Sequence, residues 1–142
     1  MLYGIGCDLC EVARMEKSLS GAHGPAFVRR VFGPAEQAAL GLGAEAGPWP
    51  AGRASAHKAA SAAADFAAKE AFLKAAGTGL AAPFSLCEIE AVRLPSGAPN
   101  YRFSGKTAEW VAAHHLTAKL SLSHDGGMAL AFCTLEQLPP ET

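Results

Sequence analysis

A chain of 142 residues, half of them apolar, is long enough to bury one core and reads as a single domain over residues 1–142. Twelve basic against thirteen acidic side chains exclude the net basic surface of a nucleic-acid binder. With no apolar run of about 18 residues and no basic–apolar–small leader, neither a membrane span nor a signal peptide is expected, and the expected compartment is the cytoplasm.

In that compartment Cys7, Cys10, Cys87 and Cys133 are expected to be reduced, buried thiols. Cys7 and Cys10 have the C-x-x-C spacing, but no second pair or clustered histidine completes a zinc set.

The first segment, Leu2 to Leu9, reads as a strand thinned by Gly4 and Gly6, a sign of close approach by a ligand or another backbone. Asp8 at its end is a poor strand former; it is either a functional carboxylate or the cap of a helix starting at Glu11. Ser20 to Gly24 is a turn, Ala26 to Phe32 a short helix, and Pro34 to Leu40 another, with Glu36 in its first turn. Gly41 to Gly52, with four glycines and two prolines, reads as an exposed loop.

The alanine-rich run from Ser55 to Ala76 predicts a long helix, stopped by Gly77 in the left-handed conformation. Ala59, Ala63, Phe66, Leu73 and Gly77 form the stripe expected to be buried, with Glu70 about 40° from its centre. A carboxylate there needs a partner. Lys74, one turn on, is one candidate and a metal ion is another; an ordinary surface Glu–Lys pair would imply no function.

Beyond Gly79 the period changes to two. Leu86 to Leu94 and Tyr101 to Phe103 read as strands joined through Pro95-Ser96-Gly97, and Glu109 to His115 as a helix with His114 and His115 at the surface. Ala118 to Ser123 and Met128 to Leu135 alternate around the hairpin signal His124-Asp125-Gly126-Gly127. The expected fold is α+β, a mostly antiparallel sheet packed against a long central helix.

Asp8 and Glu70 are the hard oxygen ligands that Mg²⁺ prefers, and Mg²⁺ usually shares such carboxylates with substrate phosphates. Lys69, Lys74, His124 and the backbone amides of Gly77-Thr78-Gly79 would meet those phosphates. The residue types suggest a metal–phosphate site without naming a reaction.

Gly4-Ile5-Gly6-Cys7-Asp8-Leu9, Phe66 to Gly79 (F-A-A-K-E-A-F-L-K-A-A-G-T-G) and Leu120 to Asp125 (L-S-L-S-H-D) resemble, in order, three motifs of the holo-[acyl-carrier-protein] synthase family of 4′-phosphopantetheinyl transferases. Gly97 to Pro99 falls where that family carries a G-x-P turn. The resemblance implies transfer of the phosphopantetheine arm of coenzyme A to a serine of acyl carrier protein, with Mg²⁺. It implies catalytic roles for Asp8, Glu70 and Lys74, with Asp8 and Glu70 holding the metal. It further implies coenzyme A contacts from Lys74 and His124, beside those expected above of Lys69, Gly77 and Gly79, and Arg14 facing the acidic carrier; Arg29 and Arg30 are further basic candidates on the first helices. It also implies a homotrimer with the site at the subunit interface, because related double-length enzymes place their site between two such domains. Asp65 departs from the pattern, standing where the family has Arg or Lys; Arg53 and Lys58 are then the local candidates for the 3′-phosphate of coenzyme A. Two other readings compete: a non-catalytic α+β module, and a C-x-x-C metal or redox protein.

Overall fold

The computed structural model describes residues 1–43 and 46–139. In chain order its elements are β1 (Leu2–Glu11), α1 (Val12–Ser20), α2 (Gly24–Val31), α3 (Pro34–Leu40), α4 (Gly52–Ala76), a 3-10 turn (Leu86–Glu88), β2 (Ile89–Arg93), β3 (Pro99–Phe103), α5 (Gly105–Ala113), β4 (Leu116–Asp125) and β5 (Met128–Gln137). Both sheets are antiparallel: three strands in the order β1-β5-β4, and the separate ribbon β2-β3. The α+β expectation therefore holds, with two sheets in place of one.

The long helix begins at Gly52, where φ is +64°, three residues before the sequence suggests. It ends as expected: Gly77 is left-handed at φ +85° and its amide donates to the carbonyls of Leu73 and Lys74. Of the loop expected over Gly41 to Gly52, Ala44 and Glu45 lie outside the described residues.

The three-stranded sheet lies against α4, and β1 carries the closest contact. A Cβ at Gly4 or Gly6 would overlap the carbonyl oxygen of Ala75 or Ala71, so only glycine allows strand and helix to touch here. Strand alternation puts Gly4, Gly6 and Asp8 on this inner face, in register with Leu135, Cys133 and Ala131 of β5, all three fully buried. Leu120, Leu122 and His124 of β4 continue the same face.

The buried stripe expected on α4 is too narrow. Ala62, Ala67, Ala68, Ala71, Phe72, Ala75 and Lys69 are buried as well, while Phe66 is only half-buried and Gly77 is exposed. Small alanines let neighbours approach from almost every side, so the helix is a core element with no single apolar face. The segment expected as one strand from Leu86 to Leu94 is a 3-10 turn followed by a five-residue strand. The reason lies on α4, where the Lys69 ammonium takes the carbonyls of Leu86 (3.1 Å) and Ile89 (2.6 Å).

Candidate active site

The approach of β1 to α4 brings Asp8 beneath the last two turns of the helix. Lys74 Nζ donates to Asp8 Oδ1 at 3.2 Å and to the Cys7 carbonyl at 2.9 Å. Lys74 thus pairs with Asp8 and bridges helix to strand; no bond joins it to Glu70, the partner one turn back that the sequence suggests. Asp8 lies within the strand and caps nothing, since α1 starts after Glu11 without a side-chain cap.

Glu70 completes the cluster. It is half-buried, and its carboxyl is held above the ordinary range first by desolvation and then by the Asp8 charge, with Lys74 opposing. Two carboxylates near enough to repel and one lysine with a half-exposed side chain make a site that favours a hard cation followed by an anion. Among the described residues no group of three or more His, Cys, Asp or Glu side chains converges. Were a divalent ion to bind, Asp8 and Glu70 would give it two protein ligands and leave its remaining positions to phosphate oxygens and water. That donor set fits Mg²⁺.

Lys69 does not join this site. It is fully buried, and its ammonium donates to Glu36 as well as to Leu86 and Ile89. The phosphate contact expected of it is corrected on that ground: its three donors already have three acceptors inside the core. Glu36, read from sequence only as a residue of a helix first turn, accepts in addition from the amides of Gly33 (3.1 Å) and Ala91 (3.0 Å). Burial pushes Glu36 up and Lys69 down, so each charge depends on the other for its place in the core.

Of the glycine-rich end of α4, the Gly77 amide is occupied in closing the helix, which removes it from the expected phosphate contacts. Gly79, exposed with φ +62°, keeps its amide clear of protein acceptors among the described residues.

His124 lies elsewhere. It faces the same way as Asp8 but two strands across and two residues along, a Cα separation of about 12 Å from ordinary strand spacings. It lines a cleft of about 360 Å³ with His57, Ser61 and Ala64 of α4 and with Arg93, Gly97 and Pro99 of the β2–β3 ribbon. Ala64 and Glu70, six residues apart, point about 120° apart around α4, so the helix divides the carboxylate cluster from this cleft. Arg53 is exposed in the first turn of α4, and Lys58 stacks on Trp49 (5.1 Å) in a different cleft of about 540 Å³. Asp65 is the buried partner of Arg93 at 3.2 Å, an assignment not readable from sequence because 28 residues separate the two.

The cysteines argue against a C-x-x-C centre. Cys7 and Cys10 are three residues apart on a strand and so point to opposite faces. Only Cys133 is fully buried, against the expectation of four buried thiols; Cys7 is exposed.

Comparison with known proteins agrees with this architecture. A family model described as the 4′-phosphopantetheinyl transferase superfamily matches residues 4–133. A holo-[acyl-carrier-protein] synthase of Methylobacterium sp. (strain 4-46) is 40% identical, the alignment covering 100% of this chain and 99% of that protein. One of Delftia acidovorans is 36% identical, covering 96% and 98%. Among solved structures, holo-[acyl-carrier-protein] synthase from Neisseria meningitidis superposes with a TM-score of 0.76 at 29% identity, covering 96% of this chain and 100% of that one. The enzyme from Bacillus anthracis str. Ames, solved in complex with CoA (3′,5′-ADP), gives 0.71 at 30%, covering 97% and 99%. The chain belongs to the 4′-phosphopantetheinyl transferase superfamily, and these full-length relatives are holo-[acyl-carrier-protein] synthases.

Proposed function

We propose that the protein moves the 4′-phosphopantetheine arm of coenzyme A to a serine of apo-acyl carrier protein, in the cytoplasm, leaving 3′,5′-ADP. The observation that carries this reading is the Asp8–Glu70–Lys74 cluster, held together by two glycines that let β1 touch α4. Mg²⁺, held by Asp8 and Glu70, would clamp the pyrophosphate and stabilise the leaving group. Lys74, reachable from solvent, would swing from Asp8 to a phosphate oxygen and offset its charge as the serine attacks. Glu70, with its raised carboxyl, suits the proton of that serine, directly or through a held water.

The site extends to a second subunit on this reading. The carboxylate cluster and the His124 cleft face different sides of α4, about 120° apart at Glu70 and Ala64, and on this reading one ligand reaches both types of group across an interface. The outer face of the sheet supports association, since Ile5, Leu9 and Phe132 are 56%, 59% and 43% exposed in a continuous apolar strip. A closed trimer would cover that strip three times over and complete each site with a neighbour's His124. Arg14, Arg29 and Arg30 are exposed on α1 and α2 and would meet the acidic carrier.

The decisive experiment incubates the protein with apo-carrier, coenzyme A and Mg²⁺ and weighs the carrier. A mass gain equal to one phosphopantetheine group, dependent on Mg²⁺, is the expected result; an unchanged mass with every carrier tried would overturn the reading.

A further inference from the structure

Glu70 stands between two contact faces of α4. It lies about 100° around the helix from Lys69 on one side and about 100° from Ala71 on the other. On the Ala71 side the helix backbone touches β1, where a Cβ on Gly6 would overlap the Ala71 carbonyl oxygen. On the Lys69 side the helix is held by side chains.

The Lys69 ammonium is where three other elements meet. It donates to Glu36 of α3, to the Leu86 carbonyl of the 3-10 turn (3.1 Å) and to the Ile89 carbonyl of β2 (2.6 Å), and it lies 5.5 Å from the centre of the Phe32 ring. Glu36 is fixed in turn by the amides of Gly33 and Ala91. One residue earlier on the helix, the Tyr101 hydroxyl of β3 donates to the Ala68 carbonyl at 2.6 Å. Lys69, Glu36, Tyr101 and Ala68 are all buried, where a fully satisfied polar network is rigid.

Stability alone does not call for this arrangement, because well-packed apolar side chains in place of a buried ion pair are often no less stable. What directional bonds add is one fixed geometry, and the neighbouring residue is where geometry counts. A side-chain tip lies about 5–6 Å from the helix axis, so turning α4 by about 10° carries the Glu70 carboxylate about 1 Å sideways. A misplacement of about 1 Å can cost about 10²-fold in rate. Resting on the transferase reading above, we propose that Lys69, anchored by Glu36 and backed by Tyr101, is a positioning residue for Glu70: it fixes the rotation of α4 at which the Glu70 carboxylate meets a divalent ion together with Asp8. Lys69 itself touches neither the ion nor the substrate.

The test removes the network without stranding a charge. Lys69→Met/Glu36→Gln keeps both side chains close to their size and leaves neither ion of the pair behind, and urea unfolding checks that the variant folds. Mn²⁺ is the probe of the metal position. Its binding to the assembled protein with coenzyme A present, read by electron paramagnetic resonance, should weaken about tenfold in the folded variant, whereas coenzyme A binding without metal should stay within about twofold. In transfer assays kcat at saturating Mg²⁺ should fall about 10–100-fold and the Mg²⁺ concentration for half-maximal rate should rise, with the carrier KM unchanged. Tyr101→Phe, which removes one hydroxyl and no charge, should move the same quantities in the same direction by about twofold to threefold, and it supplies the reading if the double variant does not fold. Unchanged Mn²⁺ affinity and kcat in the folded double variant, or in Tyr101→Phe where only that variant folds, would overturn the assignment. A wild type that binds Mn²⁺ and coenzyme A, loses the metal affinity in these variants and modifies no carrier would refute the transferase reading and leave the positioning role standing.

Discussion

Five residues separate Lys69 from Lys74 on α4, which turns them about 140° apart around the helix. Lys69 faces the core and ties α4 to α3, to the 3-10 turn and to β2 through Glu36, Leu86 and Ile89. Lys74 faces the β1 edge and holds Asp8 with its side chain half in solvent. On the proposed function, the same residue type within one motif serves architecture in one place and chemistry in the other. The difference is set by what each ammonium meets. A buried ion pair persists only when both charges are matched, whereas an exposed one is free to exchange its partner for a substrate phosphate.

The strongest way to break the comparison is Lys69→Ala. It strands the Glu36 carboxylate in the core, and a loss of about 3–5 kcal/mol is expected, read as a large fall in the denaturant midpoint. If Lys69→Ala folds normally yet binds coenzyme A poorly, the architectural role is wrong.

Glu70→Gln and Lys74→Ala should do the reverse, leaving the melting temperature nearly unchanged while Mg²⁺-dependent transfer falls by about 10²–10³-fold. An active Glu70→Gln enzyme would remove the carboxylate from the mechanism. Mixing inactive Glu70→Gln chains with inactive His124→Ala chains should restore part of the activity if sites form between subunits, and a fully active monomer in light scattering would end that idea.

A subtler contrast lies in pH. Asp65 has its folded pKa raised from 3.8 to about 7. Between those values the unfolded chain has released the proton that the folded chain keeps, so this group's contribution to stability falls as pH rises through that window. Relative to Asp65→Asn, which has no such titration, wild type should lose on the order of 3 kcal/mol between about pH 4 and pH 7, measured by urea unfolding. A constant difference across the window would show that Arg93 keeps Asp65 ionised throughout.

The smallest effect concerns the carrier. Arg14→Glu should raise the carrier KM several-fold, leave the coenzyme A KM unchanged, and lessen the salt dependence of the carrier KM. Equal changes in both constants would move the docking surface elsewhere.

Local signals carried much of this protein into its sequence. Alanine run, Gly77 stop, Asp125-Gly126-Gly127 hairpin and the three ordered motifs all depend on neighbours within a few residues, so helix, turn and family were legible before any coordinates. The spacing of Gly4, Gly6 and Asp8 was also informative, since period two places all three on one strand face. Tertiary structure alone decided which motif lysine is buried, because an alanine-rich helix offers no large apolar stripe to orient it. It also decided that Lys74 meets Asp8, that Asp65 anchors Arg93, and that Glu36 is the counter-charge of the core. Those pairs join residues 28 to 66 positions apart, and a charge reveals its partner only when the chain between them has folded.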